Sequence, residues 1–168
     1  LPRPEYNKMM KDLIAALKAN GPRIKPKVRL LYTGGHADNP EFFELLQQND
    51  AHVVSDNTGF GTRAADVLIC EDGDPLEAII NYYFEEKPAA TRQMGTQVER
   101  MERLLDLVKQ YKADGVVASR LYMCDLWAFE HFLMRKRLHE NNVPFLELEV
   151  DYTPEGQGQI KDSRSGLV

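Results

Sequence analysis

Two periodicities of apolar residues alternate along the chain, and they predict strands that alternate with helices. Four short runs rich in apolar residues predict strands, at 28–32, 51–54, 116–118 and 145–148. The run at 116–118 has no polar face, as expected of a strand buried on both sides of a parallel sheet. Longer stretches with apolar residues three and four apart predict helices at 4–20, from Pro40 onwards, at 74–85, at 97–112 and at 125–142. The predicted order is α, β, α, β, α, α, β, α, β.

This order predicts an α/β fold with an open, mostly parallel sheet of about four strands and helices on both faces, like Rossmann or flavodoxin-like proteins. The 168 residues fit a single domain. Its parts are an N-terminal helix in residues 1–24, an α/β core in residues 28–152 and a tail in residues 153–168. The abrupt start of the chain suggests a fragment or a processed piece of something longer.

The helical stripes also predict which side chains are buried. Met9 and Met10 lie on the apolar stripe of the first helix and are expected to fill the core. Asp74 is expected to cap the helix that follows it. The residues of that helix expected to point inward are Leu76, Ile79, Ile80 and Tyr83.

Composition argues against several classes of function. The chain has 26 acidic and 21 basic residues, a net charge of −5, and because the two signs are interspersed a nucleic-acid surface is not expected. No apolar run approaches the ~18 residues needed to cross a membrane, so no membrane partner is expected. Two cysteines are too few for a disulfide scaffold, and no signal peptide opens the chain, so a cytoplasmic location is expected.

Cys124 is the sharpest candidate for chemistry. It follows the strand at 116–118 and precedes a helix for which Asp125 is the expected cap, and open α/β sheets place their ligands at such strand ends. A thiol beside a helix amino terminus is stabilised as thiolate, which suits a metal ligand or a nucleophile. The alternative is a small buried apolar residue. Cys70, at the end of an apolar stretch, is interpreted as structural.

Two arginines near strand ends, Arg63 and Arg120, are candidates for binding an anionic substrate or a phosphate; ordinary surface pairing is the alternative. His36 follows the first strand and is a candidate for the same edge of the sheet, or a solvated turn residue. His131 and His139 are interpreted as one polar helix face. Neither has a carboxylate at metal-ligand spacing, so a zinc site is not expected.

Residues 55–63 form a glycine-rich loop after the second strand. Such a loop is a candidate phosphate cradle, although it matches neither the P-loop nor the GxGxxG spacing. A loop that needs glycine only for tight turns is the alternative.

Several segments, taken in order, resemble the 2-hydroxyacyl-CoA dehydratase D-component family and its benzoyl-CoA reductase branch. They are VVSDNTGFGTR at 53–63, DPLEAIINYYF at 74–84, TRQMG at 91–95, DGVVASRLYMCDLWAFE at 114–130, NNVPFLELEVDY at 141–152 and the closing GQGQ. Family subunits are larger, so the chain is similar to their carboxyl-terminal α/β lobe.

The resemblance implies a mechanism. In that family three cysteines per subunit hold a [4Fe-4S] cluster, which passes one electron to an acyl-CoA thioester; the resulting ketyl radical permits dehydration or ring reduction. The implied partners are a homologous subunit, with which the chain forms a heterodimer, a transient ATP-dependent activator that delivers the electron, and acyl-CoA.

Carried over residue by residue, the resemblance gives one match and two departures. Cys124 matches the cluster ligand of the CDLW motif, whereas Gly59 and Ala90 stand where the family has cysteines. Because iron–sulfur clusters need several thiolates, the chain is expected to hold no stable four-iron cluster.

Three functions are therefore weighed. The first is a subunit or lobe of an acyl-CoA dehydratase or aromatic-CoA reductase system whose cluster site is degenerate. The second is a non-catalytic scaffold or interaction subunit that keeps the fold. The third is a flavodoxin-like module that binds a nucleotide at Gly34-Gly35 and at residues 59–61.

Overall fold

The computed structural model describes residues 1–21, 24–35, 40–47 and 50–151, and within them four parallel strands form one sheet. The strands are β1 (Val28–Gly34), β2 (Ala51–Asn57), β3 (Gly115–Leu121) and β4 (Phe145–Val150), and their order across the sheet is β2-β1-β3-β4. The α/β class and the parallel four-stranded sheet predicted from the periodicity are confirmed.

In the described chain one helix precedes β1, and the other helices occupy the segments between the strands. They are α1 (Arg3–Asn20), α2 (Pro40–Leu46), α3 (Thr62–Ala65), α4 (Pro75–Asn81), α5 (Gln97–Gln110) and α6 (Asp125–Glu140), and a π-helical segment, Tyr82–Glu86, continues α4. The predicted tail at 153–168, like residue 152, lies outside the described residues.

Apolar side chains cover both faces of the sheet. On one face, α5 and α6 pack Leu104 and Leu138 against Leu31 and Val116 of the central strands. On the opposite face, Phe42 of α2 packs with side chains of all four strands, which are Leu30, Tyr32, Ala51, Val53, Val117, Leu146, Leu148 and Val150. Because β1 and β3 are covered on both sides, they read in the sequence as unbroken apolar runs.

The methionines of α1 do not fill the core. Met9 is 55 % exposed and Met10 is 37 % exposed, and no residue of α1 is buried. The period of the apolar stripe correctly gives a helix, but it cannot say which surface covers the stripe. The prediction that these methionines are buried is wrong for the described chain.

The stripe of α4 also points outward. Asp74 caps the helix as predicted, since its carboxylate accepts a hydrogen bond of 2.7 Å from the backbone N–H of Leu76. However, the predicted inward residues are 44–66 % exposed, namely Leu76, Ile79, Ile80 and Tyr83. Tyr82 is buried instead, at the point where the α-helix widens into a π-helix and its side chains change phase.

In the described part of the chain, every helix is too short or too polar to cross a lipid bilayer.

Candidate functional site

The carboxyl ends of β1 and β3 approach closely and pack against the first turns of α6. Gly34 has a φ of +141°, and a Cβ there would overlap the backbone of Ser119. The next N–H, that of Gly35, donates to the carbonyl of Ser119 over 3.1 Å. A Cβ at Gly35 would lie 3.5 Å from Nε1 of Trp127. Glycine at position 34 therefore allows the close approach of β1 and β3, whereas a Cβ at position 35 would make an ordinary contact with Trp127.

Cys124 is the residue that opens α6. Its backbone is extended, with φ −88° and ψ 90°, and its carbonyl accepts the first helical hydrogen bond, from Ala128 over 3.0 Å. Cys124 is thus the N-cap, and Asp125, which the sequence suggested as the cap, is the first helical residue. The turn into the helix passes through Met123 at φ +62°. The half-buried thiol of Cys124 lies at the positive end of the helix dipole.

The glycine-rich loop after β2 is folded around the carboxylate of Asp56. That carboxylate accepts hydrogen bonds from the backbone and the hydroxyl of Thr58 (2.8 and 2.6 Å) and from the hydroxyl of Thr62 (3.0 Å). Burial of Asp56 favours its neutral form, but these hydrogen bonds outweigh burial and hold the pKa of Asp56 below its ordinary value. A Cβ at Gly61 would overlap the same carboxylate.

This arrangement bears on the phosphate-cradle hypothesis. The backbone N–H groups of Thr58 and Thr62 already donate to Asp56, so they do not point at a ligand. Gly61 therefore serves tight packing around Asp56, which was the alternative interpretation of this loop.

Gly59 lies against the guanidinium of Arg63. A Cβ at Gly59 would stand 2.9 Å from Nη2 of Arg63, so this side chain reaches back over the position where the motif resemblance implies a cysteine. The charges that act on Arg63 come from Arg103, Arg100 and Glu130. Burial and then the two neighbouring guanidinium groups lower the pKa of Arg63 below its ordinary value.

Ala90 is tied to the same group of charges through Arg100. Nη1 of Arg100 donates to the carbonyl of Ala90 (3.3 Å), to the carbonyl of Gln93 (3.1 Å) and to the hydroxyl of Thr96 (2.5 Å). Nε and Nη2 of Arg100 donate hydrogen bonds to the two carboxylate oxygens of Glu130, over 2.7 and 2.9 Å. Arg100 thus fixes the loop that holds Ala90 onto α6.

We call Arg63, Arg100 and Arg103, with Glu130 and Asp66, the arginine cluster. Arg103 pairs with Asp66, while its Nε and Nη2 are buried without a hydrogen-bond partner among the described residues. Glu130 lies on α6 about 9 Å along the helix axis from the N-cap. The arginine cluster therefore links the loops of positions 59 and 90 to the helix that Cys124 opens.

Two further buried polar atoms lie at this end of the sheet. Oγ1 of Thr33 and Oδ1 of Asn57 have no hydrogen-bond partner in the described structure. The two residues are neighbours across β1 and β2 and form the last pair of the register between these strands. Buried polar atoms therefore lie beneath the surface at the carboxyl edge of the sheet.

Arg120 differs from Arg63 because two carboxylates lie within ion-pair distance of it. Nη2 of Arg120 pairs with Glu149, and Nε lies 3.6 Å from Glu147. Glu147 in turn bonds Arg135 and lies 3.3 Å from Nδ1 of His131. Burial of Glu147 favours its neutral form, but these bonds hold the pKa of Glu147 below its ordinary value. Arg120 is therefore the less available of the two predicted anion-binding residues.

His131 is not on a polar helix face, as the sequence suggested. It is fully buried, between the rings of Trp127 and Phe145 at centroid distances of 6.0 and 6.2 Å, whereas His139 is exposed. Burial lowers the pKa of His131 despite the nearby carboxylate of Glu147. Helical spacing places 131 and 139 about 80° apart, enough for one to face the core and the other solvent.

Two predicted candidates remain. Cys70, which the sequence suggested is structural, is exposed, with its sulfur 3.7 Å from the carbonyl of Asp72, so the apolar stretch before it does not bury this cysteine. His36 lies outside the described residues.

Sequence reasoning missed the residues that organise the site. The pairing of Arg100 with Glu130 joins positions 30 apart, and no local pattern signals it. Asp56 had a signal, because an aspartate two residues before a threonine is typical of a turn in which the side chain bonds the backbone ahead.

Comparison with known families identifies the family to which the chain belongs. The family model of the 2-hydroxyglutaryl-CoA dehydratase D-component matches residues 1–163. The chain belongs to this family. The match takes in both glycine-rich strand ends, the arginine cluster and Cys124, so the resemblance noted in the motifs is confirmed.

Individual family members are distant relatives. YjiM of Escherichia coli (strain K12), which bears a provisional name as a dehydratase subunit, is 26 % identical over 88 % of the chain. The (R)-phenyllactyl-CoA dehydratase beta subunit of Clostridium sporogenes is 23 % identical over 89 % of it, and a benzoyl-CoA reductase subunit of Thauera aromatica is 23 % identical over 98 %. The chain spans only 39–42 % of the length of these three relatives.

The donor atoms do not fit a family-type cluster. Of the three positions matched to the motifs, Gly59 and Ala90 have no donor side chain, and only Cys124 supplies sulfur. Among the described residues, no group of three or more histidines, cysteines, aspartates or glutamates is placed to hold a metal ion. A cluster with several thiolate ligands therefore cannot be assigned to these residues.

Proposed function

We propose that the chain is a subunit or lobe of a 2-hydroxyacyl-CoA dehydratase or benzoyl-CoA reductase-type system, and that its own cluster site is degenerate. Its family membership over residues 1–163 carries the proposal. Within this system the chain acts beside a homologous subunit that has a complete set of cysteines. A transient ATP-dependent activator supplies electrons to that complete subunit, and an acyl-CoA thioester is the substrate.

The geometry supports the degenerate site. The arginine cluster connects the loop of Gly59 and the loop of Ala90 to α6, the helix that Cys124 opens. Such a connection is required if the three positions are to contribute to one site. We propose Cys124 as the surviving metal ligand. Both cysteines are free thiols, which agrees with the reducing cytoplasm as the location of the system.

Restoring the missing thiols tests this proposal. We expect the wild-type chain to take up well under one iron after anaerobic reconstitution, and Gly59→Cys/Ala90→Cys to take up about four irons with matching acid-labile sulfide and a broad brown absorbance. The matched control is Gly59→Ser/Ala90→Ser, which has nearly the same shape without sulfur. Near-stoichiometric iron in the wild type would refute the degenerate site. No gain in the cysteine variant would show that positions 59, 90 and 124 do not converge.

The absence of donor side chains at Gly59 and Ala90 favours a second candidate, a non-catalytic scaffold subunit of the same family. Reconstituting the chain with its sister subunit distinguishes the two functions. If the chain is a scaffold, Cys124→Ser leaves the activity of the complex unchanged; if Cys124 contributes a ligand, the activity falls. A yellow, structured absorbance of the purified chain would instead indicate a bound flavin.

A further inference from the structure

The arginine cluster contains more positive than negative charge. Its cations are Arg63, Arg100 and Arg103, and its anions are Glu130 and Asp66, which leaves an excess of one positive charge. Glu130 is bonded to Arg100 through both oxygens, and Asp66 pairs with Arg103. Each carboxylate is therefore engaged by another guanidinium, and Arg63 is the cation that is left over.

Arg63 has no carboxylate bonded to it within the described part of the chain. It is nevertheless partly buried, and its pKa is lowered by burial and by the two like charges. A guanidinium stays charged under these conditions. Among the described residues, the negative charge that acts on it is that of Glu130, which is already bonded to Arg100 through both oxygens. Arg120 shows the contrast, because it has Glu147 and Glu149 as counter-charges.

The position of Arg63 is also suited to a ligand. Its Nη2 lies against Gly59, where the absence of a side chain leaves the guanidinium uncovered by residue 59 itself. The nearest loop carboxylate, that of Asp56, is occupied by Thr58 and Thr62. The cavity of about 450 Å³ on the side of Arg100 and Arg103 is rimmed by acids, among them Glu99 and Asp106, so it does not suit an anion.

We propose that Arg63, supported by the positive charge of Arg100 and Arg103, is an oxyanion-binding site that takes a phosphate group on the Gly59 side. A planar guanidinium matches phosphate in two-point geometry and charge. The phosphate could come from coenzyme A or from inorganic phosphate. The choice of coenzyme A rests on the proposed function.

Titration calorimetry at low ionic strength tests the site with four probes: inorganic phosphate, coenzyme A, 3′-dephospho-coenzyme A and pantetheine, which has no phosphate. We expect coenzyme A to bind, pantetheine not to bind, and Arg63→Gln to weaken the binding of coenzyme A by about tenfold or more. Arg63→Lys should recover part of the affinity. The charge-matched control is Lys136→Gln, on the exposed side of α6, which should bind as the wild type does.

The sources of the phosphate give different patterns. Equal affinity for inorganic phosphate and coenzyme A indicates a site for free oxyanions. Tighter binding of coenzyme A, with the same affinity for 3′-dephospho-coenzyme A, indicates that Arg63 binds the diphosphate of the coenzyme. Both results support the proposal. Binding that is unchanged in Arg63→Gln overturns it, as does the absence of phosphate and coenzyme A binding in the wild type. None of these outcomes depends on iron, so failure of this site is separate from failure of the thiol-restoration test.

A second variant pair protects the test against effects on folding. Gly59→Asp places a carboxylate beside the guanidinium and should abolish phosphate binding while raising the melting temperature. Gly59→Ala adds the same Cβ without charge and should retain binding. If Gly59→Asp binds phosphate as well as Gly59→Ala does, a carboxylate beside the guanidinium has no effect and the assignment of Arg63 is refuted.

Discussion

Arg100 and Glu130 form a buried two-point ion pair that joins α5 to α6. The nitrogens of Arg100 meet the two carboxylate oxygens at 2.7 and 2.9 Å, and the residues are 7 % and 2 % exposed. Because Arg100 also holds the loop of Ala90, this pair connects the packing of two helices with the shape of the candidate site.

Removing one partner of this pair should be costly. We expect Glu130→Gln to lower the free energy of unfolding by about 3–5 kcal/mol, because it leaves the guanidinium of Arg100 buried without its counter-charge. The double variant Arg100→Met/Glu130→Leu should recover most of the loss. Urea unfolding measures both. A loss below about 1 kcal/mol for the single variant would mean that water reaches the pair.

The two glycines of the loop after β2 should respond differently to alanine. Gly61→Ala should destabilise the chain by about 2 kcal/mol or more, because its Cβ would overlap the carboxylate of Asp56, which holds the loop together. Gly59→Ala meets only the flexible end of Arg63 and should change stability by less than about 1 kcal/mol. Thermal unfolding of the pair is the measurement, and equal effects would contradict the Asp56-centred loop.

His131 should make stability depend on pH in the mildly acidic range. Its pKa is lowered in the folded state, so the unfolded chain binds the proton more readily, and stability is lost as the pH falls below the ordinary histidine value of roughly 6.5. His131→Phe should flatten the melting temperature between about pH 6.5 and pH 5, above the range where carboxylates titrate. His139→Phe, at an exposed position, is the control. An unchanged slope in His131→Phe would assign the pH dependence to other groups.

Cys124→Ser should leave the fold intact. Serine is a preferred N-cap, and Cys124 has the extended backbone of that position without a capping hydrogen bond from its side chain. We expect the melting temperature to be unchanged or slightly raised. In the background of Gly59→Cys/Ala90→Cys, the same substitution should remove most of the iron. A clear loss of stability would indicate that the thiol is a packed core group instead.

The central architecture could be predicted because its signals are local. The unbroken apolar runs of β1 and β3 reflect burial on both faces, and the helical spacing of α5 and α6 reflects packing on one. The strand-to-helix turn at Cys124 was predictable for the same reason, within one residue of the observed cap.

The predictions failed where burial depends on distant parts of the chain. Met9 of α1 and Ile79 of α4 lie on proper helical stripes, yet neither stripe is covered by described residues, and periodicity contains no information about the covering surface. His131 shows the converse, because a polar residue type was taken for solvent exposure although aromatic rings enclose it. The arginine cluster depends on pairs 30 or more residues apart, which a single sequence does not reveal.

The carboxylate of Asp56 has a consequence for how such chains evolve. It shapes the loop after β2 through two threonines, with no help from a sulfur ligand at position 59. The fold can therefore persist in members that have no thiol at position 59, because the loop is held by Asp56 and does not need a sulfur ligand to fold. Among homologues, similarity of fold should therefore not indicate which members are redox-active. The number of cysteines at these loops should distinguish them from members without redox activity.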